Sequence, residues 1–421
     1  MVIPARELVE HRPCEVVLSP GPGEDLGLIR VLEPAVRIAD GRTVVRVDAV
    51  DDGGMRVAGG TKPVVVRHPT KLFVSDARGK TLGTAGVAFY DGRMSGRTVL
   101  VLGGTGFVSG TVARAAVDAG HTVWIITRGS KPAPAGVTAL AADRHDREAF
   151  SRAVDEAIAG AGGQIDLVVD VIAFTPEDAR QDLEAFAGRV GRLVLVSTDF
   201  VYDPKRRRFP QSESDADYLA SGYGGLKREA ERVLEAAGAD AVPWVVVRPG
   251  HIYGPGSLLG CLPPVGRDAD LIGRVRRGDA VELVGGGHYL QQPVFAPDLA
   301  RVILELGGAQ GDRTSDPEER VAPSGAVLGF VSPVGQVLNV AGPDIAESVD
   351  YYRFVAEALG TDLRVTEVPV EAYRVEHPER ETFLCHRFYD LGRLEATGVR
   401  LPDTPLRDGI ARHVESLLAG T

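Results

Sequence analysis

The sequence predicts an α/β protein built around a doubly wound parallel β-sheet. Short, continuous apolar runs alternate with amphipathic segments of helical period from residue 98 to residue 248. Continuous apolar strands between such helices indicate a parallel sheet that is covered on both faces. The first run leads directly into a glycine-rich turn, TVLVLGGTGFVSG, at Thr98 to Gly110. A strand, a glycine-rich turn and a helix in this order are typical of the first unit of a dinucleotide-binding (Rossmann) domain.

The individual elements follow from this alternation. Apolar runs predict strands at residues 99–102, 122–127, 137–140, 166–171, 192–197 and 243–248. Amphipathic patterns between these strands predict helices at 108–119, 147–158, 176–187 and 223–237. Beyond residue 248 the alternation is less regular, and we predict a loop rich in Gly, Pro and Ser at 307–331 and helices at 348–359 and 404–418.

The sequence predicts three domains. Residues 1–95 carry short β-branched or alternating runs separated by Gly and Asp turns, which indicates a small β-rich accessory domain of unknown role. Residues 96–250 are predicted to form the NAD(P)-binding Rossmann domain. Residues 251–421 are predicted to form a smaller, mixed substrate-binding region that partly returns to the Rossmann sheet.

Composition restricts the classes of partner. The chain has 421 residues and a net charge of −11, and no apolar run is long enough to span a membrane. The short basic run 205–208 is expected to be a solvated loop, so neither nucleic acid nor a membrane is an expected partner. The charged N-terminus and the three cysteines without a CxxC pair favour the cytoplasm. The nine histidines show no HxxxH or HEXXH spacing, so no metal is expected.

The glycine-rich turn is the first part of the predicted cofactor site. Gly103 and Gly106 occupy the first two positions of G-x-x-G-x-x-G, and Ser109 stands at the third. Glycine is needed where a side chain would block a pyrophosphate, which backbone N–H groups at a helix N-terminus bind. The residues of this turn that we expect to contact the cofactor are Gly103, Thr105, Gly106, Phe107 and Val108.

Residues after the next three strands complete the predicted cofactor site. NAD-preferring folds commonly carry an acidic residue at the end of the second strand. This chain has Arg128 there, which favours the 2′-phosphate of NADP(H), although a place over the adenine or in solvent stays open. Asp143 and Arg144 are expected to meet the adenine edge, and Ala173 follows the fourth strand. The expected cofactor is therefore NAD or NADP, with a preference for NADP.

The predicted catalytic group consists of Tyr223, Lys227 and Thr198. A hydride can leave a carbinol carbon only if the hydroxyl proton also leaves, and a Tyr can accept that proton if a nearby ammonium lowers its pKa. Tyr223 and Lys227 are four residues apart in a predicted helix and therefore share one face. Thr198 ends the fifth strand, where its hydroxyl can bond the substrate oxygen, and Ser197 is the competing candidate.

The segments GGTGFVSG, VSTDFVYD, YGGLK and VRPGHIYGP together resemble the extended short-chain dehydrogenase/reductase family, in its NAD(P)-dependent epimerase/dehydratase branch, over residues 97–418. The resemblance implies a doubly wound NAD(P) domain with a smaller C-terminal substrate domain. It implies that Tyr223 is the acid/base, that Lys227 lowers its pKa and holds the nicotinamide ribose, and that Thr198 orients the substrate. It also implies a homodimer through the helices that include Tyr223.

Two positions depart from the family pattern. The segment STDFVYD is similar to that of nucleotide-sugar 4,6-dehydratases, where Asp199 would serve as an acid, but Phe200 replaces the Glu that acts as base. It is also similar to the segment of deoxysugar 4-ketoreductases. Gln291 stands where many nucleotide-sugar enzymes carry an Arg for the substrate diphosphate, and a neutral amide cannot replace that guanidinium. Gln291 and His251 are the predicted substrate-binding residues.

The predicted function is NAD(P)-dependent oxidation of a carbinol in a small hydroxylated, sugar-like substrate, such as a nucleotide sugar, a nucleoside or another polyol. If the cofactor is recycled, the net reaction is epimerisation or elimination. If the cofactor exchanges, a net NADPH-dependent ketoreductase is the alternative. A non-catalytic, nucleotide-sensing member of the fold is a further alternative, which the complete Tyr/Lys/Thr set disfavours.

Overall fold

The computed structural model describes residues 96–240, 242–263, 267–308 and 331–419. Outside these ranges it gives the backbone of short antiparallel strand pairs, namely Val17–Leu18 with Val64–Val65, Ala35–Ala39 with Arg42–Arg46, Phe73–Ser75 with Thr81–Thr84, and Arg320–Val321 with Val327–Leu328. The predicted β-rich domain at 1–95 and the predicted loop at 307–331 lie mostly outside the described residues. The chain divides into two units, Met1–Met94 and Ser95–Thr421, and the site described below lies in the second.

A seven-stranded parallel sheet forms the centre of the second unit. Its strands are β1 (Thr98–Leu102), β2 (Thr122–Thr127), β3 (Val137–Ala141), β4 (Leu167–Asp170), β5 (Leu193–Val196), β6 (Trp244–Pro249) and β7 (Gln336–Val340). Their order is β7-β6-β5-β4-β1-β2-β3, and every pairing is parallel. The predicted doubly wound α/β fold is therefore confirmed. The direction of winding reverses between β1 and β4, and such sheets bind ligands at this switch point.

Helices cover both faces of the sheet and build the C-terminal region. The α-helices of the described residues are α1 (Phe107–Asp118), α2 (Arg147–Gly160), α3 (Pro176–Phe186), α4 (Gly222–Ala237), α5 (Leu271–Arg277), α6 (Ala296–Gly308), α7 (Ser348–Ala358), α8 (Val370–Glu376), α9 (Gly392–Ala396) and α10 (Leu406–Ala419). Short 3₁₀ segments lie at Asp199–Val201, Gly285–Gly287 and Pro378–Phe383.

The side chains of β1 separate two apolar layers. Val99 and Val101 pack with α1 and α6 on one face, and Leu100 and Leu102 pack with α2, α3 and α4 on the other. All four side chains are fully buried. Successive strand residues point to opposite faces, so a strand covered on both sides is apolar at every position. This is the reason why continuous apolar runs predicted the strands.

Side-chain caps fix the beginning of α2 and α3. The Asp146 carboxylate accepts the Ala149 N–H at 3.0 Å at the start of α2. At α3, Thr175 accepts the Asp178 N–H at 3.2 Å, and the Asp178 carboxylate accepts the Thr175 N–H at 2.9 Å. Such caps satisfy N–H groups that the helix leaves unpaired and stabilise it by about 1 kcal/mol each. As a result, α3 begins close behind β4, at the switch point.

A third apolar cluster forms the C-terminal region. Helices α7 and α10 pack around Tyr253, Phe295 and Tyr351. Short strand pairs lie in this part of the chain, namely Ile252–Tyr253 with Val294–Phe295, Val281–Val284 with Val365–Val368, and Leu290–Gln291 with Ala346–Glu347. Between them, β7 returns to the main sheet beside β6. Among the described residues, no helix is long and apolar enough to cross a membrane.

Candidate active site

The glycine-rich turn has the geometry of a cradle. Gly103 and Gly104 have φ values of +107° and +85°, which side chains rarely adopt. A Cβ on Gly104 would lie 2.6 Å from the Ile125 side chain, so the turn is pressed against β2. The Ser109 hydroxyl accepts the Gly106 N–H at 3.1 Å and occupies the space of the third glycine. The open N–H groups of the first turn of α1 then form the anion-binding end that a dinucleotide pyrophosphate requires.

Neighbouring polar groups extend this cradle along β2. The Thr105 hydroxyl lies 3.3 Å from the hydroxyl of Thr127, the last residue of β2. Arg128 follows directly and its side chain is exposed. The ring of Phe107, the first residue of α1, lies 5.0 Å from the Arg267 guanidinium. This contact connects the glycine-rich turn with the predicted substrate-binding region. The residues present therefore fit a bound NAD(P).

Lys227 is a buried ammonium held by the backbone. Its side chain is almost fully buried, and its Nζ donates to the carbonyl oxygens of Ala173 and Val196, each at 2.7 Å. Burial lowers the pKa of Lys227 to about 8, although nearby carboxylates, Asp170 first among them, raise it. An ammonium has three N–H donors. Two carbonyls account for two of them, and one donor remains for a ligand at the cofactor side of α4.

Tyr223 stands at the opening of the site, near the start of α4. About half of its surface is exposed, and its ring lies 6.4 Å from that of Phe174 and 6.3 Å from that of Phe200. Burial raises the pKa of Tyr223, a hydrogen bond with the Thr198 hydroxyl lowers it, and the Asp199 carboxylate raises it. The net pKa lies above the ordinary value, so the Lys227 ammonium does not bring it down in this structure. Tyr223 is a phenol at neutral pH.

The two glycines of the segment YGGLK bring α4 close to the end of β5. A Cβ on Gly224 would lie only 1.9 Å from the Phe200 carbonyl oxygen. A Cβ on Gly225 would lie 2.8 Å from the Ala220 carbonyl carbon. Gly224 therefore allows α4 to approach the segment after β5 that carries Thr198, and Gly225 allows it to pack on the residues just before α4. The sequence pattern is explained by this close approach of two backbones.

Thr198 and Ser197 have separate partners. The Ser197 hydroxyl donates to Glu231 at 2.5 Å, and Glu231 in turn accepts from the Arg248 guanidinium at 2.6 Å and 3.0 Å. This network is buried, so Ser197 is directed into the interior. Thr198 accepts the Phe200 N–H at 3.2 Å and contacts Tyr223, which leaves Thr198 as the hydroxyl that faces the site.

Asp199 does not serve the acid role suggested by the sequence. Its carboxylate binds Arg387, Arg207 at 3.1 Å and the Tyr389 hydroxyl at 2.6 Å. Burial raises its pKa, but Arg387, Arg207 and the Tyr389 hydrogen bond outweigh this and lower the pKa below the ordinary value. The carboxylate is therefore ionised at neutral pH and has no proton to donate. It joins the segment after β5 to the C-terminal region.

Arg207 also differs from the expectation. The basic run 205–208 was expected to be a solvated loop, yet the Arg207 side chain is almost fully buried against Asp199. Its guanidinium lies over the Tyr202 ring at 5.4 Å. The other basic residues of the run pair with carboxylates at the surface. One arginine of this run is thus a structural ion-pair partner. The pattern of apolar residues in the segment could not distinguish this arginine from its exposed neighbours.

Arg144 is not placed at the adenine edge. Its guanidinium is buried and binds Asp170 at 2.7 Å, Asp182 at 3.0 Å and Asp178 at 3.1 Å. One carboxylate at the end of β4 and two in α3 draw the side chain inward. Asp143, by contrast, is exposed and accepts only the His145 N–H at 3.0 Å, so its carboxylate remains open at the rim of the predicted cofactor site.

A cavity of about 350 Å³ opens at the end of β5 and β6. Its lining includes Thr198, Tyr223, His251, Cys261 and Arg267. Burial, with a contribution from Arg267, lowers the pKa of His251 to about 4. The imidazole is therefore neutral at pH 7 and can act as a hydrogen-bond partner in this wall. The cavity brings the predicted His251 together with the predicted catalytic group.

Gln291 is not among the described residues that line this cavity. Its side chain is almost fully buried, and neither its amide oxygen nor its amide nitrogen has a hydrogen-bond partner within the described part of the chain. Its backbone pairs with that of Arg387. The neighbouring Gln292 instead binds the Gly342 carbonyl at 2.8 Å and the Tyr389 N–H at 2.9 Å.

Comparisons with known proteins agree with this arrangement. A model of the NAD dependent epimerase/dehydratase family matches residues 99–313, just over half of the chain. The 2'-dehydrokanamycin reductase of Streptomyces kanamyceticus is 29% identical over 327 residues, which cover 76% of this chain and 83% of that protein. The chloroplast stem-loop binding protein of 41 kDa b of Arabidopsis thaliana is 27% identical over 236 residues, 52% of this chain and 58% of that protein.

Solved structures show the same fold. A UDP-glucose 4-epimerase from Thermotoga maritima is 19% identical, with a TM-score of 0.58 over 77% of this chain and 99% of its own. A UDP-N-acetylglucosamine 4-epimerase from Methanobrevibacter ruminantium M1 is 16% identical, with a TM-score of 0.60 over 78% of this chain and 100% of its own.

Fold and site together define an NAD(P)-dependent enzyme of the extended short-chain dehydrogenase/reductase type. The chain belongs to the NAD dependent epimerase/dehydratase family.

Proposed function

We propose that this protein is an NAD(P)H-dependent reductase that converts a ketone of a sugar-like substrate into the alcohol. The observation that carries this proposal is the place of Tyr223 in the cavity lining, where its phenol hydroxyl forms a hydrogen bond with the Thr198 hydroxyl. Reduction of a ketone requires a group that donates a proton to the new alkoxide, and a phenol at neutral pH is such a group. The reverse oxidation requires the phenolate and is favoured only at high pH.

The chain's own residues have distinct tasks in this reaction. Thr198 orients the ketone oxygen through its hydroxyl, and the Tyr223 hydroxyl donates its proton to that oxygen. Bound NAD(P)H supplies the hydride to the carbonyl carbon. Lys227 uses its remaining N–H to hold the nicotinamide ribose and its charge to support proton transfer. The Phe174 and Phe200 rings flank the Tyr223 ring.

Elimination finds less support in these residues. It requires a second base at the neighbouring carbon, and Phe200 stands where a Glu would provide it. The neighbouring Asp199 is held by two arginines and cannot move a proton at neutral pH. Tyr223 is thus the one group on this wall of the cavity, among the described residues, that is suited to exchange a proton with substrate.

Epimerisation also finds less support. An epimerase must retain the oxidised intermediate while its other face turns to the cofactor, so the substrate needs an anchor outside the reacting ring. The neutral Gln291 replaces the Arg that would bind a diphosphate anchor. The similarity to 2'-dehydrokanamycin reductase, whose name states reduction of a keto group, supports reduction over epimerisation.

We further propose NADPH as the preferred cofactor and a free or lightly modified keto-sugar as the substrate. Arg128 is exposed directly after β2, where its guanidinium can bind the 2′-phosphate. His251 and Thr198 offer neutral hydrogen-bonding groups to a polyhydroxylated ring. The homodimer implied by the family would use the exposed face of α4 that carries Leu226, and light scattering of the full chain tests it.

The test is a direct assay of reduction. Purified protein is mixed with NADPH and a panel of keto-sugars, with and without a nucleotide diphosphate, and loss of NADPH absorbance is followed. The proposal expects stoichiometric NADPH loss with at least one keto-sugar lacking a diphosphate, and loss at least about 10²-fold slower with the Tyr223→Phe variant. Interconversion of nucleotide sugars without net NADPH loss would contradict reduction and favour an epimerase.

A further inference from the structure

Arg144 is the centre of a buried ion cluster behind the active site. We name Arg144, Asp170, Asp178 and Asp182 the Arg144 cluster. The guanidinium binds Asp170, Asp182 and Asp178 at 2.7, 3.0 and 3.1 Å, and it also donates to the Asp178 carbonyl at 2.9 Å. All four side chains are buried. A buried charged group is costly unless it is paired and hydrogen-bonded, so this cluster joins β4, α3 and the turn after β3 firmly.

Two carboxylates of the Arg144 cluster hold the segment between β4 and α3. Asp170 accepts the N–H groups of Ile172 at 2.6 Å and Ala173 at 2.8 Å. Asp178 accepts the N–H groups of Phe174 at 2.8 Å and Thr175 at 2.9 Å. Four consecutive N–H groups, at 172–175, are therefore bound by two carboxylates that Arg144 neutralises.

This segment in turn positions catalytic groups. The Ala173 carbonyl accepts the Lys227 Nζ at 2.7 Å. The Phe174 ring lies 5.4 Å from the same Nζ and 6.4 Å from the Tyr223 ring. A rotation of the peptide between Ala173 and Phe174 would remove one of the two carbonyls that hold the ammonium. The direction of Lys227 thus depends on the shape of the segment 172–175.

We propose that Arg144 is a positioning residue, which acts through Asp170 and Asp178 to fix the segment 172–175 and thereby aims Lys227 and Phe174 at the reacting centre. This role replaces the contact with adenine that the sequence suggested. The two roles differ in what they predict, because an adenine contact affects cofactor affinity and a positioning role affects turnover.

The protonation of the cluster agrees with this role. Burial and the neighbouring Asp170 raise the pKa of Asp182 well above its ordinary value, because a second negative charge beside Asp170 is unfavourable in this buried site. Burial also raises the pKa of Asp170, but Arg144 outweighs it and keeps Asp170 ionised. Asp170 therefore remains a full acceptor for the two N–H groups of the segment.

The experiment compares Arg144→Lys with Arg147→Lys. A lysine keeps the charge of Arg144 but cannot bind three carboxylates through a planar fork. Arg147 lies nearby at the start of α2, and its ion pair with Glu184 at 3.1 Å is exposed, so it is a matched control. Amide hydrogen exchange, NADPH affinity by fluorescence, and kcat with the keto-sugar found above are measured on the full chain. The kcat and NADPH measurements rest on the proposed function, whereas the exchange measurement does not.

The expected result for Arg144→Lys is about tenfold faster exchange of the amides at 172–175, with unchanged exchange in β1. Because Lys227 is misdirected, NADPH affinity should fall only about threefold, from one weakened bond to the ribose, whereas kcat should fall about tenfold. Unchanged exchange at 172–175, or a large loss of NADPH affinity at unchanged kcat, would overturn the proposal. If Arg144→Lys does not fold, Asp178→Asn should still speed exchange of the amides at 174 and 175, because its neutral amide oxygen no longer pairs with Arg144 and is a weaker acceptor than the carboxylate.

Discussion

Two adjacent hydroxyl groups at the end of β5 have different tasks. Ser197 donates to the buried Glu231 and stabilises the packing of α4 on the sheet. Thr198 lies at the cavity and contacts Tyr223. The sequence left both residues open as the substrate-orienting group, because side-chain direction at a strand end depends on tertiary partners. Both residues line the cavity, but the bond to Glu231 occupies the Ser197 hydroxyl and favours Thr198 as the substrate-orienting group.

Tyr223→Phe tests the proton donor. Loss of the hydroxyl should lower kcat by about 10²- to 10⁴-fold, the range expected for a general acid. NADPH affinity and the melting temperature should change little, because the hydroxyl is bound only by Thr198 at a half-exposed site. A steady-state assay measures kcat, and NADPH titration measures the affinity. The control is Tyr289→Phe, which lies outside the cavity lining, and an equal loss there would refute the assignment.

The pH dependence of reduction follows from Lys227. Its pKa is lowered to about 8 by burial, so the ammonium is charged below that pH and neutral above it. We expect kcat/KM to be constant below about 8 and to fall as the pH rises through this value, since kcat/KM reports the free enzyme. The phenol of Tyr223 would cause a second decline at higher pH. A rate that stays flat through pH 8 would show that the charge of Lys227 is not required.

Arg128 should determine the choice of cofactor. A charge-assisted bond to the 2′-phosphate contributes about 1.5–3 kcal/mol, so Arg128→Ser should weaken NADPH binding about 10- to 100-fold. NADH binding should hardly change. Lys131→Ser is the control, because Lys131 is also exposed and lies three residues further along the same loop. Equal NADPH binding by the Arg128 variant and wild type would refute an NADPH preference based on this residue.

At the scale of elements, the start of α4 depends on its glycines. Gly224→Ala would place a Cβ 1.9 Å from the Phe200 carbonyl oxygen, so α4 must shift away from Thr198. We expect a loss of stability of about 1–3 kcal/mol from overpacking and a fall in kcat. Gly222→Ala is the control for backbone strain without a close contact. Gly222 has a positive φ of 72°, but a Cβ at this position would have no atom within 4 Å. If both variants have the same kcat, the close approach has no role in catalysis.

The elements of the sheet could be predicted from local sequence, whereas the ion pairs could not. β1, β4, β5 and β6 are apolar at nearly every position because both faces are covered, and α3 carries its capping signal in Thr175 and Asp178. The pairing of Asp199 with Arg387 joins residues 188 positions apart, and no local sequence pattern near either residue predicts it. Similarly, the partners of Arg144 come from β4 and α3, and only the folded chain brings them together.

At the scale of the whole second unit, the predicted cofactor-binding and substrate-binding residues lie at one edge of the main sheet. The glycine-rich turn follows β1, Thr198 follows β5, and His251 follows β6, so all three lie at the carboxyl ends of parallel strands. Asp199 binds Arg387 and thus ties this edge to the C-terminal region that forms the other wall of the cavity. The sequence could predict the first three positions from strand order, but the shape of the cavity wall depends on contacts across the chain.

The measurement that most directly tests reduction by an exchanging cofactor is the nucleotide content of freshly purified protein. An ultraviolet–visible spectrum and acid release of bound nucleotide give this content. A reductase exchanges its cofactor in each turnover, so we expect the protein to be purified largely free of nucleotide and to bind added NADPH at one equivalent per chain. Stoichiometric NAD(H) that remains bound through gel filtration would contradict this account, because it would indicate a cofactor that is recycled within an epimerase.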